Sequence, residues 1–245
     1  MSSKNSSLSI IINYQFLSYM IDKNTPTYGN KNVFNIEKKS SISNGDVAND
    51  SFLSTTAHIG THIDMPYHFY KNGQTVEDFN ADFWIFRQKD ILFIELKIDN
   101  GKLIIRDELI NELEKIRSNS LFSIVNYQLL IVKTGICYQR NKREFWESNF
   151  GFHPDIAEYL RKNFPNIRIF GCDSISISSW KNRKIGREAH KAFLEPDKPI
   201  LLLEDMNLYA VNKDTKFKEI IISPLRISNC DGLPCNIIAK VEKEK

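Results

Sequence analysis

The feature that most constrains the fold is the alternation of short apolar segments with segments of helical character. Runs rich in Ile, Leu, Val and Phe predict four buried strands, at residues 90–98, 127–133, 167–170 and 199–203. The intervening segments, with apolar residues at helical spacing or a proline at the first helical position, predict helices at 106–117, 154–161 and 187–193. Strands that alternate with helices are typical of an α/β domain.

The rest of the chain fits the same single unit. We expect one domain over residues 1–245, because no break in composition separates two cores. Residues 23–50 are rich in Asn, Lys, Ser and Asp and predict a long loop that covers a site or contacts another subunit. The apolar run at 8–21 predicts the first strand, since polar residues interrupt it and it is too short to span a bilayer. Residues 51–58 resume a strand-like pattern.

Composition excludes several classes of partner. The net charge of +3 arises from 33 basic and 30 acidic residues that are mixed along the chain, so neither nucleic acid nor a membrane surface is indicated. The four cysteines form no CxxC pair and predict free thiols in a reducing compartment. We therefore expect a cytoplasmic protein.

Residues 57–69, AHIGTHIDMPYHF, contain three of the five histidines together with an aspartate. All four of these side chains stand at even positions, so they would project from one edge of an extended segment. They are His58, His62, Asp64 and His68. A helix would also place His58 and His62 on one face, but Gly60 and Pro66 argue against it. The pattern predicts a strand that ends near His58 and runs into a constrained loop.

These residue types indicate a metal site. Neutral imidazoles with a carboxylate suit zinc, manganese or ferrous iron, and no cysteine lies nearby to build a zinc finger. The alternative is a set of unconnected histidines on an ordinary loop. The remaining histidine outside the candidate site, His153, precedes a predicted helix and receives no functional role.

Two residues in the second half of the chain are candidates for further ligands. Glu204 directly follows the apolar run PILLL, so its carboxylate emerges at the edge of the core, where a lone charge is costly unless it is paired or bound to metal. Asp205 would point the other way if the strand continues. His190 lies on a predicted helix. The simpler readings are a loop that begins at Glu204 and an ordinary helix histidine at 190.

The segment from His58 to Phe69 resembles the HxGTHxDxPxHF signature of the cyclase family of metal-dependent hydrolases, which includes kynurenine formamidase and isatin hydrolase. Later elements follow in the expected order: Thr134-Gly135, Gly171 to Ser174, Ala189-His190, Glu204 to Leu208, Pro224 to Ile227 and Asp231-Gly232. The resemblance implies a partly closed, barrel-like mixed β-sheet flanked by helices. It also implies a homodimer or a higher homo-oligomer.

The same resemblance implies roles for the candidate residues. A first metal would be bound by His58, His62 and Asp64. Asp64 and Glu204 would bridge to a second metal, and His190 would complete that site. His68 matches the histidine that serves as general acid and base. One or two Zn²⁺ ions per chain are expected, with Mn²⁺ as the alternative.

The implied reaction is hydrolysis of an amide-type C–N bond in a small molecule, such as the formamide of an aryl amine, by metal-activated water. Opening of a cyclic amide or imide, or a cyclisation or dehydration, is the alternative chemistry. A non-catalytic metal-binding scaffold is the alternative from another class. The segment 173–178 lacks the second aspartate of the formamidase pattern, and the early loop has no tryptophan to stack on an aryl group. We expect specificity to reside in residues 23–50 and in the aromatic segment 146–152.

Overall fold

The computed structural model of the chain describes residues 10–31, 34–98, 102–119 and 126–244, with backbone only at residues 10, 11, 243 and 244. Within these ranges the strands are β1 (Ile10–Phe16), β2 (Asn35–Ser40), β3 (Asp50–Ser54), β4 (His62–Asp64), β5 (Ile85–Arg87), β6 (Ile91–Glu95), β7 (Ile104–Ile105), β8 (Leu129–Lys133), β9 (Gly151–Phe152), β10 (Ile169–Cys172), β11 (Leu201–Glu204), β12 (Lys216–Pro224) and β13 (Gly232–Glu244). The α-helices are α1 (Asp107–Asn119), α2 (Glu144–Glu147), α3 (Asp155–Asn163) and α4 (Arg183–Phe193).

A mixed sheet of nine strands forms the centre of the fold. Its order is β5-β12-β13-β4-β11-β10-β8-β6, with β1 paired to β13. Strands β6, β8, β10 and β11 are parallel, whereas β4 pairs antiparallel with both β11 and β13. The sheet is a partly closed, barrel-like sheet flanked by helices, which confirms the predicted fold class.

The parallel strands form because their side chains are apolar in almost every position. Every residue of β8, β10 and β11 is buried, as expected for parallel strands that are covered on both faces. Helix α4 packs on this layer through Phe193, whose ring centroid lies 5.0 Å from that of Phe170 on β10. This contact holds the last turn of α4 against β10.

The predicted apolar strands correspond to β6, β8, β10 and β11, and the predicted helices to α1, α3 and α4. The first strand, β1, lies within the segment predicted for it. Helix α4 begins at Arg183, four residues before the predicted start. The four cysteines are free thiols, as predicted. Among the described residues, no helix combines the length and apolar character that a membrane span requires.

Two predictions about the N-terminal third were wrong in part. Residues 23–50 are not all loop, because β2 pairs antiparallel with β3 in a two-stranded hairpin. Its polar sequence, with side chains almost all exposed, lacks the apolar alternation that marks a half-buried strand. The strand predicted at 51–58 ends at Ser54, so His58 lies in the connection between β3 and β4 and not at the end of a strand.

Candidate metal centre

Strands β4 and β11 bring three candidate ligands to one face of the sheet. His62 and Asp64 are two residues apart on β4 and therefore point to the same side. Glu204 lies directly opposite His62 in the antiparallel register, so its side chain shares that face. All three side chains are buried. Glu204, at the end of the apolar strand β11, thus places its carboxylate beside His62 and Asp64.

His58 reaches the same place through a turn. Gly60 adopts a left-handed conformation with φ of +57°, which residues other than glycine rarely adopt. The turn returns the chain so that Nδ1 of His58 lies 2.8 Å from Oδ1 of Asp64. On the far side of the ring, a Cβ at Gly232 would collide with the His58 imidazole. Gly232 therefore leaves the space that the His58 ring occupies.

The even spacing of the three histidines and the aspartate predicted that they project from one edge of an extended segment, and this prediction was wrong. Of these four residues only His62 and Asp64 lie in a strand, and His68 lies in the 3-10 helix Pro66–His68. Pro66 opens that short helix and bends the chain after β4. The four side chains nevertheless converge, because the turn at Gly60 and the bend at Pro66 fold both ends of the motif towards β4.

His62 is oriented by its own backbone. Its Nδ1 donates a hydrogen bond to the carbonyl oxygen of Gly60 at 2.8 Å. The opposite nitrogen, Nε2, lies 3.4 Å from Oδ1 of Asp64 and 3.4 Å from Oε2 of Glu204. The ring is thus held with one nitrogen directed at two carboxylates.

His190, from helix α4, repeats this arrangement from the other side. Its Nδ1 donates to the carbonyl oxygen of Gly186 at 2.8 Å and lies 3.2 Å from Oγ of Ser178. Its Nε2 lies 3.4 Å from Oδ2 of Asp64 and 3.4 Å from Oε1 of Glu204. Two imidazoles therefore face the same pair of carboxylates.

The donor set fits a divalent metal ion. The four Nε2 to carboxylate distances of 3.4 Å exceed the usual hydrogen-bond range, and buried Oδ2 of Asp64 has no hydrogen-bond partner among the described residues. Nitrogen and oxygen ligands held by hydrogen bonds to their other atoms are typical of zinc and manganese sites. Two groups have ligand atoms within 4.8 Å of one another. They are His58, Asp64 and His68, and His62, Asp64 and Glu204.

The electrostatic environment of these histidines and carboxylates favours a bound cation. Burial alone lowers the pKa of His58 and of His190, but the neighbouring carboxylates outweigh burial and raise the pKa of His58 to about 9 and that of His190 to about 10. Burial also raises the pKa of Asp64, yet the surrounding histidines hold it well below its usual range. The pKa of Glu204 is likewise lowered by His190 and His62 against the effect of burial. Without a metal, the carboxylates hold protons on the imidazoles in its place.

His68 has a different environment. Its Nδ1 lies 3.0 Å from Oδ2 of Asp231, and the same oxygen lies 2.9 Å from Nε2 of His58. Burial, helped by the charges on His58 and His190, lowers the pKa of His68, and Asp64 and Asp231 oppose this only in part. His68 is therefore the neutral histidine beside a cluster of charged ones. Its predicted role as acid and base, rather than ligand, stays a prediction, because its ligand atom is also near His58 and Asp64.

A cavity of about 310 Å³ opens onto these residues. Its remaining lining residues are Pro26, Thr27, Tyr28, Gly60, Phe69, Ile175, Ser176, Ser178, Arg183 and Arg187. Only the beginning of the predicted 23–50 loop lines the wall. The aromatic segment at 146–152 lies behind it, where Trp146 and Phe150 pack against a cluster that includes Ile175.

Two other predictions can be placed. Asp205 binds Arg140 through two hydrogen bonds of 3.0 and 2.7 Å. It follows the end of β11 at a positive φ of +49°, so the strand does not continue through it as the prediction supposed. Nδ1 of His153 lies 3.2 Å from Oδ1 of Asp155 at the start of α3.

Sequence reasoning assigned no role to Asp231, Arg183 or Arg187. Asp231 was noted only as part of the Asp231-Gly232 pair. It lies 163 positions from His68, so no local pattern joins the two residues. A helix that begins at residue 183 places both arginines and His190 on one face, at positions i, i+4 and i+7. This spacing was the available sequence signal for the two arginines.

The fold and this cavity define a mixed α/β protein with a buried histidine and carboxylate centre. A family model described as putative cyclase matches residues 16–179, which is more than half of the chain. The chain therefore belongs to the cyclase family, and the resemblance noted in its sequence is confirmed.

Individual relatives are distant but extend over most of the chain. Kynurenine formamidase of Bacillus thuringiensis subsp. konkukian (strain 97-27) is 26% identical over 224 residues, which cover 91% of this chain and 95% of that protein. Cyclase-like protein 2 of Arabidopsis thaliana is 27% identical over 209 residues, which cover 81% of this chain and 67% of that protein.

Solved structures show the same fold. Isatin hydrolase A from Labrenzia aggregata, bound to benzyl benzoate, has a TM-score of 0.74 at 18% identity and covers 95% of this chain and 94% of its own. A potential metal-dependent hydrolase with cyclase activity has a TM-score of 0.70 at 19% identity, over 96% of this chain and 100% of its own.

Proposed function

We propose that this protein is a metal-dependent hydrolase that cleaves an amide-type C–N bond of a small molecule, with aryl formamides as the leading substrate class. One observation carries the proposal. Nε2 of His62 and Nε2 of His190 each lie 3.4 Å from both carboxylates, Asp64 and Glu204, with Oδ2 of Asp64 otherwise unpartnered in the described chain. The likeness to kynurenine formamidase supports the choice of substrate class.

The resemblance to the cyclase family suggests which residues would hold metal. His58, His62 and Asp64 would bind a first ion, Asp64 and Glu204 would bridge, and His190 would bind a second. Zn²⁺ is the expected ion, with Mn²⁺ as the alternative, since imidazole and carboxylate ligands suit both. Such an ion lowers the pKa of a bound water and polarises a carbonyl oxygen.

The chain itself supplies proton transfer. Because Nδ1 of His68 hydrogen-bonds to Asp231, Nε2 is the nitrogen left to accept a proton from water and return it to the leaving nitrogen. The lowered pKa of His68, caused first by burial, keeps it in the neutral form that a general base requires near neutral pH. Asp231 would hold the ring in one tautomer throughout.

The cavity restricts the substrate to a small molecule. A volume of about 310 Å³ lies at the lower end of ligand pockets, and Phe69 and Ile175 give it an apolar wall. A single substituted aromatic ring fits these dimensions better than a polypeptide. A cyclic amide of similar size would use the same activated water, so ring opening is the second reaction to test.

The first experiment is metal analysis of protein purified without a metal-affinity tag, by elemental mass spectrometry. We expect about one to two equivalents of zinc or manganese per chain, with a clear fall in Glu204→Ala and none in Glu188→Ala, an exposed carboxylate on α4. Formamides and cyclic imides are then screened with the metal-loaded protein. Absence of metal even after reconstitution would overturn the hydrolase proposal, and metal without turnover of either class would favour the scaffold alternative.

A further inference from the structure

Two arginines lie at the mouth of the cavity on the helix that carries His190. Arg183 and Arg187 both line the cavity and are exposed to solvent. They are one turn apart, and His190 lies three residues beyond Arg187, so the three side chains occupy one side of α4. Helix α4 thus carries the buried His190 and, nearer its start, two exposed arginines that line the same cavity.

The proximity of these two positive charges is unfavourable in itself. Like charges four residues apart on a helix repel each other and destabilise it. Among the residues that the structure describes, neither guanidinium forms an ion pair that would offset this repulsion. An anionic ligand would offset it.

Aromatic packing holds Arg183 in place. Its guanidinium carbon lies 3.6 Å from the centre of the Trp180 ring, which is close enough for a cation–π contact. The Trp180 ring meets Tyr28 edge to face, with centroids 5.0 Å apart. Trp180 also packs so closely against Gly29, at φ of +75°, that a Cβ there would lie 2.6 Å from the indole. The cation–π contact therefore holds the exposed Arg183 side chain against the cavity wall.

Both cations act on the same point of the wall. Burial raises the pKa of Tyr28 and Glu204 adds to this, whereas Arg183 and Arg187 each act to lower it, so both positive charges act electrostatically on this residue. The acidic residues that line the cavity are Asp64 and Glu204. They lie buried among the histidines, so the exposed charged residues that line the cavity are the two arginines.

We propose that Arg183 and Arg187 bind a carboxylate of the substrate, so that the site acts on amides that carry an anionic group. The inference rests on the proposed function. A helix rises about 1.5 Å per residue, which places the two arginines roughly 4.5 and 10.5 Å from His190 along its axis. That separation corresponds to about one aromatic ring between the reacting amide and the carboxylate. Arginine is the residue best suited to recognise a planar carboxylate with two parallel hydrogen bonds.

The test compares 4-formamidobenzoate with its neutral isostere 4-formamidobenzamide. We expect the double variant Arg183→Gln/Arg187→Gln to lose about 10-fold to 100-fold in kcat/KM for the anion, mainly through KM, and to change less than about 2-fold for the neutral amide. Lys184→Gln, an exposed cation on the same helix outside the cavity, is the matched control and should leave both substrates unchanged. An equal loss for both substrates, or no loss for the anion, overturns the proposal.

A binding measurement separates this inference from the hydrolase proposal. Isothermal titration of the metal-loaded protein with 4-aminobenzoate and 4-aminobenzamide needs no turnover. Preference for the carboxylate that disappears in the double variant, but not in Lys184→Gln, supports the arginine site even if neither formamide is hydrolysed. Carboxylate binding that survives in the double variant would assign the anion to another site, and would overturn the inference even if the neutral formamide is cleaved.

Discussion

Nδ1 of His68 lies 3.0 Å from Oδ2 of Asp231, a residue that immediately precedes the last strand of the sheet. The same oxygen lies 2.9 Å from Nε2 of His58. One carboxylate therefore orients both the proposed base and a proposed metal ligand. Hydrogen bonds of this kind fix the tautomer and the direction of an imidazole, which is why their loss affects metal affinity and activity.

Replacing Asp231 with asparagine should impair catalysis more than folding. Asparagine keeps the shape of the side chain but removes the negative charge from the oxygen that the two imidazoles share. We expect kcat to fall about 10-fold to 100-fold with a smaller change in KM, and metal affinity to weaken by about 10-fold. Steady-state kinetics and a metal titration measure the two effects separately. A variant with native kcat and native metal affinity would show that the hydrogen bonds have no positioning role.

His68→Ala should abolish turnover and leave the metal largely in place. The proton that His68 transfers would have no other acceptor at the same position, and general acid and base catalysis contributes about 10²-fold to 10⁴-fold to rate. Elemental analysis of the same preparation supplies the control. Loss of metal together with activity would make His68 a ligand, a role that its proximity to His58 and Asp64 also allows.

Asp64→Ala should remove the metal altogether. Asp64 is buried, faces three histidines and belongs to both potential ligand groups, whereas Glu204 belongs to only one of them and so cannot replace it in both. The expected result is less than about a tenth of the native metal content after dialysis against a metal buffer, because the site loses its central anion. Full metal occupancy in this variant would disprove the bridging assignment. Circular dichroism checks that the variant is folded.

Much of the fold was predictable because burial leaves a simple signal in parallel strands. In β8 and β11 both faces are covered, so nearly every position is apolar and the run stands out. The hairpin of β2 and β3 gives no such signal, because its side chains are almost all exposed and no face requires an apolar residue. Strand β4 is only three residues long, which is too short for a periodicity to appear.

The candidate ligands were predictable from residue type, whereas their partners were not. Histidine is rare in this chain, and three of five within thirteen positions is a local pattern. Asp231 and Arg187 are ordinary surface residue types, and only the register of β13 beside β4 and the placement of α4 give them a role. Such long-range juxtapositions are properties of the topology and leave no trace in local spacing.

Metal binding should strengthen as pH rises. In the metal-free cluster the pKa of His58 is about 9 and that of His190 about 10, after the carboxylates outweigh the opposing effect of burial. These folded-state values exceed the unfolded value of 6.5, so the associated stability is fully present below that pH and is lost as pH rises towards about 9 to 10. A metal must displace these protons, so its affinity increases as pH rises towards the folded values and then levels off.

The measurement is the difference in Tm between metal-loaded and chelator-treated protein at several pH values. We expect this difference to widen from about pH 7 to about pH 9, and titrations in buffers of different ionisation enthalpy to show proton release. A difference in Tm that stays constant with pH would mean that protons and metal do not compete for these imidazoles.

The β2–β3 hairpin leads to a prediction about assembly. An isolated two-stranded hairpin is at best marginally stable in water. Here Ile36, Phe52 and Leu53 are 57%, 54% and 54% exposed, and Ile36 pairs with Leu53 across the strands. Burial of these exposed apolar side chains against a second surface would stabilise the hairpin. We expect that surface to belong to another copy of the chain, in line with the homodimer that the sequence resemblance implies.

Light scattering coupled to size exclusion should therefore give about twice the chain mass of 28.5 kDa. The variant Phe52→Ser/Leu53→Ser should shift the protein towards the monomer, because it removes apolar area from both faces of the hairpin. Val47→Ser, a fully exposed position in the connection between the strands, is the matched control and should leave the mass unchanged. A native protein that runs as a monomer would contradict the prediction, and a dimer that persists in the double variant would move the interface away from the hairpin.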